Sequence, residues 1–424
     1  MFDVAIKNGV CFIDGKFVKA NIGIEGNKIT YVGKDEISGD LEIDASRKFV
    51  LPGLFNAHTH LAMTLFRGYA EDMPLMDWLE KKIWKAERKL TPKDVYWGSM
   101  LGVLEMLKTG TTAFSDLYIH MDEVAKAVGE TGIRAVLCYG MADRGDRERA
   151  EMELKIGTEF IKSWNNAFNG RIKAIYGPHA PYTCTPEFLR EVKSRANELN
   201  TLVHIHVSET MHEVDEVRRR YGKTPVRLLD DIGFLDDKTI IAHAIWLDDD
   251  ELRILKERGV SVAHCPISNL KLASGIARVR DMLEIGINIC LGTDGAASNN
   301  TYNLFEEIKL TSLLQKVSTG KADALHAKDV LEMATKNGYK AYRINGGELK
   351  QGRLADIILL DKDRFNYCPV YDPLHSIAYA SYGCEVSHVI VDGRLIVEDG
   401  IVLTMDEDRV VSKVERLKEK FAED

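Results

Sequence analysis

The sequence predicts an α/β protein whose middle forms an eight-unit β/α barrel and whose two ends together build one small β domain. Three observations carry this reading. Apolar strand-like runs alternate with amphipathic helical stretches through the middle of the chain. Both ends read as short strands broken by turn signals. Histidines and carboxylates recur just after the apolar runs, where barrel enzymes keep their chemistry.

The first stretch, Asp3 to Gly33, breaks at Asn8-Gly9, Asp14-Gly15 and Gly26-Asn27. The far end repeats the pattern with "ADIILLDKD" and "VSHVIVDGRLIVEDGIVL", where Asp392-Gly393 signals a hairpin. Two β-rich ends around a different middle suggest one β domain made from both termini. The closing "DEDRVVSKVERLKEKFAED" reads as an exposed helix. In the middle, "VLPGLFNAHTH", "TTAFSDLY", "IRAVLCYG", "IKAIYGPHA", "LVHIHVSE", "TIIAHAIWL", "VSVAHCPIS" and "INICLGTDG" are the eight strand candidates. Helices such as "DVYWGSMLGVLEMLKTG" and "TPEFLREVKSRANELN" intervene.

At 424 residues with 45% apolar content, the chain can bury a large core. Its net charge of -9, with acids and bases interspersed, argues against nucleic acid or an anionic membrane as the main partner. Seven scattered cysteines with no C-x-x-C pair fit a reducing cytoplasm. No apolar run reaches the roughly 18 residues that span a bilayer, and the N-terminus is unlike a signal peptide. A cytoplasmic protein is expected.

The ends of the strand candidates carry His58, His60, Asp116, His179, His206, Glu209, His243, His264 and Asp294. On a strand, residues i and i+2 share a face, so His58 and His60 converge on one point. Neutral imidazole is a common ligand of transition metals, and a catalytic zinc takes three or four N/O ligands with one position open. "LVHIHVSE" offers His204 and His206 on one face. The strand runs toward the site, so His206 is the expected ligand and His204 a packed or supporting ring. Asp294, in "LGTDGAASNN", can ligate and accept a proton from water; read blandly, it is a turn residue before Gly295. Glu209 lies just past a strand end and suits general acid/base work, against a bland reading as a helix first-turn acid. His243 can orient a nucleophile or stabilise a developing oxyanion. His179 and Glu87 are polar candidates for substrate contact, and Glu87 by itself looks like an ordinary helix charge.

The motifs "PGLFNAHTH", "VHIHVSE", "IIAHAIWL", "HCPISNLKLASGIA", "LGTDGAASNN" and "GELKQGRLADIILLD", in this order, resemble the amidohydrolase superfamily over almost the whole chain. "HLAMTLFRGYAEDMPLMDWLEKKIWKAE" and "YGPHAPYTC" narrow the likeness to the 5-methylthioadenosine/S-adenosylhomocysteine deaminase family, with the archaeal 5'-deoxyadenosine deaminases nearest. The resemblance implies a distorted (β/α)8 TIM barrel at residues 50–345. It implies a β-sandwich built from residues 1–49 and 346–424, the latter including the terminal helix. It implies one divalent metal, usually Zn2+, on the positions matching His58, His60, His206 and Asp294. Glu87 and His179, with Glu209 and Asp294, would hold the nucleoside. Glu209 would shuttle protons, and His243 and Asp294 would stand beside the attacking water.

The implied reaction is hydrolytic deamination of 5'-substituted adenosines, among them 5'-deoxyadenosine, 5'-methylthioadenosine, S-adenosylhomocysteine and adenosine. The products are the inosine analogues and ammonia. A homo-oligomer, tetramer or dimer, is expected. Dinuclear relatives carry a modified lysine at the end of the fourth strand; here that end reads "YGPHA" and Lys173 sits near the strand start, which implies one metal. Tyr139 aligns where some relatives place a carboxylate-binding arginine, leaving Arg144, Arg147 and Arg149 as substitutes and short apolar 5' groups as the expected preference. The rival readings are another amidohydrolase, such as guanine deaminase or a triazine chlorohydrolase, and a non-catalytic dihydropyrimidinase-like assembly protein.

Overall fold

The computed structural model describes residues 1–422. Eight strands run through the middle of the chain: β1 (Leu54–His60), β2 (Thr111–Tyr118), β3 (Arg134–Met141), β4 (Ile172–Pro178), β5 (Val203–Val207), β6 (Thr239–His243), β7 (Ser261–His264) and β8 (Asn288–Leu291). Each pairs in parallel with the next. Gly292 and Thr293 interrupt the last strand, and its continuation, Asp294–Gly295, pairs in parallel with Thr59 and His60 of β1. The sheet thus returns to its first strand. All eight runs read from the sequence are strands, and they are buried almost throughout, as parallel strands covered by helices must be.

The helices between them start on clear signals. Thr91 and Asp94 form a capping box, with Pro92 in the first turn, ahead of the helix Pro92–Lys108. Asp248 and Glu251 do the same for Asp249–Arg258, which stops at Gly259 in a left-handed conformation. Small and branched side chains fill the barrel interior, including Ala57, Ala113, Val136, Cys138, Ile240 and Ala263, and Tyr339 and Tyr342 join them. Lys173, at the start of β4, donates to the Tyr342 carbonyl at 2.8 Å, which places both at the end of the barrel away from the strand C-termini.

Both chain ends enter one nine-stranded mixed sheet. Its junction is Lys48–Pro52, which pairs antiparallel with Ile357–Asp361 over its full length. Ile6, Ile22, Ile24, Ile357, Leu359 and Ile390 belong to an apolar core of its own. The expected domain boundary between residues 49 and 50 therefore falls inside a strand of this sheet. Asn8-Gly9 is a second departure. The strand Phe2–Ile13 runs through it, and the expected turn is a bulge, with Asn8 at φ 63°. The expected Asp392-Gly393 hairpin is present, with both residues at positive φ. The final helix spans Glu407–Phe421; the last two residues of the expected helical segment, 423 and 424, lie outside the described residues.

One buried ion cluster joins the barrel to this sheet. Arg134, the first residue of β3, donates from Nε and Nη2 to the two oxygens of Asp356, at 2.7 and 3.1 Å. Its Nη2 also reaches Asp392 at 2.8 Å. Tyr339 donates its hydroxyl to Asp356 at 2.9 Å. Arg134 and Asp356 are both buried. Removing one partner of such a cluster leaves an uncompensated buried charge. Arg134→Ala is expected to lower the free energy of unfolding by about 3–5 kcal/mol. Equilibrium urea denaturation of the two proteins measures this, and an unchanged midpoint would refute the role of the cluster.

Candidate active site

The C-terminal ends of the strands converge on one point. His58 and His60 close β1, His206 is the penultimate residue of β5, and Asp294 follows β8. Ligand atoms of His58, His60 and His206 lie within 4.8 Å of one another. Asp294 Oδ1 is 3.1 Å from His60 Nε2 and 3.5 Å from His58 Nε2. His58 Nε2 and Asp294 Oδ1 are fully buried and have no hydrogen-bond partner among the described residues. Buried polar atoms are normally paired, so two lone-pair atoms left open and aimed together fit a cation.

The other atoms of these side chains are held. His206 Nδ1 lies 2.7 Å from the His179 carbonyl, His60 Nδ1 faces the Leu117 carbonyl, and His58 Nδ1 lies 3.0 Å from His204 Nε2. Asp294 Oδ2 accepts from Ser268 at 2.6 Å and from Ser298 at 2.9 Å. Such outer contacts orient ligands. Burial pushes the pKa of His58 down to about 4 and that of His206 well below the ordinary value, which keeps both rings neutral. Burial also works against charge on Asp294, but His58 and His60 outweigh it and hold the carboxyl well below the usual range.

Glu209 and His243 stand beside this cluster. Glu209 Oε2 is 3.7 Å from His243 Nε2. Burial raises the pKa of Glu209, which favours a carboxyl able to hold a proton. The backbone that carries it is fastened by Glu213, whose oxygens accept from the Ser208 and Glu209 N–H groups at 3.0 and 2.8 Å. His243 Nδ1 lies 2.8 Å from Asn269 Oδ1, which leaves its Nε2 toward the site. Ser208, His243, Ala244 and Asp294 all have φ between 50° and 70°. Non-glycine residues in that region cost of order 1–3 kcal/mol each and gather at functional sites.

A pocket opens above the cluster. His60, His179, His206, Glu209, His243 and Asp294 form its polar floor. Leu75, Trp78, Leu79, Trp84 and Glu87 line one wall. They come from a single stretch in which the π-helical Leu79–Ile83 lies between the α-turns Leu75–Trp78 and Trp84–Glu87. Such π segments are frequent at functional sites. Burial raises the pKa of Glu87 and lowers that of His179 to about 3.

Several expected residues sit differently. Tyr139 does not line the pocket; the wall there is Gly140, Met141 and Ala142. The pleat explains it. Cys138 packs into the barrel interior, so Tyr139 faces outward, beside Glu153 of the helix Arg147–Trp164. Arg144 and Arg149 line the pocket, whereas Arg147 is exposed and pairs with Glu151. Arg149 pairs with Glu153 at 3.3 Å. Arg144 stacks on Trp84, 5.0 Å from the ring centre. Asp116 fastens the end of β1, accepting from Thr59 at 2.8 Å and from the Leu61 N–H at 2.6 Å. His264 closes β7, is buried and does not line the pocket, with neither ring nitrogen partnered among the described residues. Sequence reasoning assigned no role to Ser268, Asn269, Ser298 or Glu213. The first three lie inside the motifs already quoted. Glu213 lies in the first turn of the helix Met211–Tyr221, where the Thr210 hydroxyl accepts from its N–H at 3.2 Å, and the Thr210-x-x-Glu213 spacing was its signal.

Comparison with known proteins agrees with this geometry. Residues 49–396 match the model of the amidohydrolase family. A 5-methylthioadenosine/S-adenosylhomocysteine deaminase 2 of Archaeoglobus fulgidus is 53% identical over 415 residues, covering 98% of each chain. A 5'-deoxyadenosine deaminase of Methanosarcina acetivorans is 48% identical over 426 residues, covering 99% of each. Among solved structures, an adenosine deaminase from Xanthomonas campestris with bound zinc superposes with a TM-score of 0.95 at 29% identity, over 99% of each chain. The chain belongs to the amidohydrolase family.

Proposed function

We propose that this protein is a metal-dependent deaminase that converts 5'-substituted adenosines to the inosine analogues and ammonia. The observation that carries the reading is the convergence of the His58–His60–His206–Asp294 cluster and a buried Glu209 at the floor of one pocket, with burial raising the pKa of the Glu209 carboxyl. The names of the relatives, nearly half to just over half identical over almost the full chain, point to the same substrates. Guanine deaminase or triazine hydrolase chemistry is not favoured by those relatives. The complete cluster likewise disfavours a non-catalytic assembly protein.

The donor set fits one divalent ion, and zinc suits three imidazoles with a carboxylate. When bound, such an ion supplies Lewis acidity that lowers the pKa of water to roughly 7 in favourable sites. The chain's own groups do the rest. Asp294, with His243 Nε2 beside it, takes up a proton from water. Glu209 gives its proton to the ring nitrogen next to C6. It takes up the hydroxyl proton of the tetrahedral centre and passes it to the departing amine, and the proton held by Asp294 then returns to Glu209. Water is consumed and ammonia released, so the balance closes. Glu87, with its pKa raised by burial, faces the ribose hydroxyls, and His179 holds the purine. The barrel that begins at Leu54 and runs to about residue 345 carries the catalytic unit, and the sheet built from the two terminal segments supports it.

Short apolar 5' groups are the preferred substituents. Leu75, Trp78, Leu79 and Trp84 offer apolar surface, worth roughly 25 cal/mol per Å² buried. Arg149 is already paired with Glu153. Arg144 has no carboxylate partner among the described ion pairs and is the residue that would receive an anionic tail. The protein works in the cytoplasm; five of its seven cysteines are buried thiols, none is bridged, and no described helix is long and apolar enough to cross a membrane. Exposed Val317, Phe365 and Tyr371 support self-association.

Four outcomes test this reading. Elemental analysis is expected to find one divalent metal per chain, and His206→Ala to lose metal and activity together; two metals per chain would refute the single-ion site. Glu209→Gln is expected to keep the metal while kcat falls about 10²–10⁴-fold, and near-normal turnover would remove Glu209 from the chemistry. In an ammonia-release assay over 5'-deoxyadenosine, 5'-methylthioadenosine, S-adenosylhomocysteine and guanine, the first two should show the highest kcat/KM. Arg144→Met should lower kcat/KM for S-adenosylhomocysteine about 10-fold or more, as loss of a charged hydrogen bond predicts, and leave 5'-deoxyadenosine unchanged. A preference for guanine would overturn the substrate class.

A further inference from the structure

We infer that His204 and Tyr342 form a buried relay that fixes His58 in the tautomer able to bind the metal. The inference rests on the reading of the site as a metal centre. His204 lies two residues before His206 in β5 and is fully buried, as are His58 and Tyr342. It is not a ligand of the cluster, yet its ring touches both His58, at 4.9 Å between ring centres, and Tyr342, at 6.0 Å.

The direction of the relay follows from counting hydrogens. Tyr342 Oη is 2.6 Å from the Ala57 carbonyl and 2.7 Å from His204 Nδ1. A phenol has one proton, and a carbonyl can only accept. Two oxygens 2.6 Å apart need that proton between them. Tyr342 therefore donates to Ala57, and its oxygen must accept from His204 Nδ1. A fully buried ring with no carboxylate beside it is neutral, and a neutral imidazole carries one N–H. His204 Nε2 then bears a lone pair. It lies 3.0 Å from His58 Nδ1, so His58 donates there. The only nitrogen of His58 left without hydrogen is Nε2, the atom open toward Asp294 and the other two ligands. Ser115 Oγ, 3.5 Å from His204 Nδ1, is too distant to compete with Tyr342.

The contrast with the other ligands shows why a relay is needed. His60 and His206 turn Nδ1 toward backbone carbonyls, which accept and never donate. Their tautomers are set without help. The partner of His58 is a second imidazole, which can present either a lone pair or a hydrogen. Without Tyr342, His204 is free to carry its hydrogen on Nε2. It would then face His58 Nδ1 as a donor and drive the His58 hydrogen onto the ligating nitrogen. Tyr342 and His204 are thus positioning residues that act through His58.

Tyr342→Phe tests this with little change in packing, because the ring stacked on Phe55 is retained. Each protein is stripped with a chelator, and its affinity for Zn2+ alone is measured by competition with a chromophoric chelator. Tyr342→Phe is expected to weaken Zn2+ binding about 10–100-fold, the usual scale for loss of an outer partner. Its thermal midpoint without metal should fall by only a few degrees, from the loss of the hydroxyl's buried partners, and its kcat at saturating Zn2+ should stay within a few-fold. His204→Gln keeps an acceptor for His58 Nδ1 and should retain affinity within a few-fold, whereas His204→Leu should lose as much as Tyr342→Phe or more. The relay is refuted if Tyr342→Phe binds Zn2+ as the parent does, or if His204→Gln and His204→Leu lose affinity equally. A parent protein that binds no divalent metal would instead overturn the metal reading itself.

Discussion

The closure of the barrel is the constraint on which the site depends. A sheet of parallel strands has two free edges until its last strand meets its first. Here the meeting is a short one, Asp294 and Gly295 against Thr59 and His60, after a break at Gly292. A Cβ at Gly292 would stand 2.7 Å from the His58 backbone nitrogen, so the approach requires glycine. Asp294 and the His58–His60 pair are therefore neighbours across the seam, although they come from opposite ends of the catalytic sequence. The carboxylate reaches the imidazoles because the sheet closes, and His206 arrives from the strand near the middle of the series.

Around that seam the structure gives each polar side chain one orientation. Serine hydroxyls occupy one oxygen of Asp294, backbone carbonyls take the Nδ1 atoms of His60 and His206, and Asn269 takes that of His243. What remains open points inward. Groups of this kind are worth most when they need no rearrangement during reaction. The left-handed conformations of Ser208, His243, Ala244 and Asp294 turn the chain at the strand ends, and the His243 and Asp294 side chains line the pocket. The strain is supported by the rigid strands beneath it.

Much of this was legible in the sequence, because parallel buried strands are nearly continuous apolar runs and each reactive residue closes one of them. The direction of β5 distinguishes His206, at the rim, from His204, one layer deeper. What was not legible depended on parity or on distant partners. Tyr139 differs from the pocket wall by one residue of pleat, and the inward position of Cys138 decides its face. Asn8-Gly9 looks like a turn, but Phe2–Ile13 has strands on both sides, Lys16–Glu25 on one and Gly39–Asp44 and Lys48–Pro52 on the other, and these carry it through as a bulge. Tyr342 has no local signal, since it acts on a group brought near it only by the fold, whereas Glu213 acts locally from the Thr210-x-x-Glu213 start of its helix.

The sheet shared by both chain ends sets a schedule for synthesis. Lys48–Pro52 leaves the ribosome roughly 300 residues before its partner Ile357–Asp361. At about 5–20 residues per second, its outer edge waits on the order of 15–60 s for the strand that covers it. During that interval the nascent chain presents an unprotected β edge, "KFVLP", joined directly to the first barrel strand. The turn-rich N-terminal strands cover its other side early, and the lysine at its head discourages pairing with foreign edges. Release of the C-terminal strands completes the sheet and, through Arg134 and Asp356, fastens it to a barrel that has already emerged.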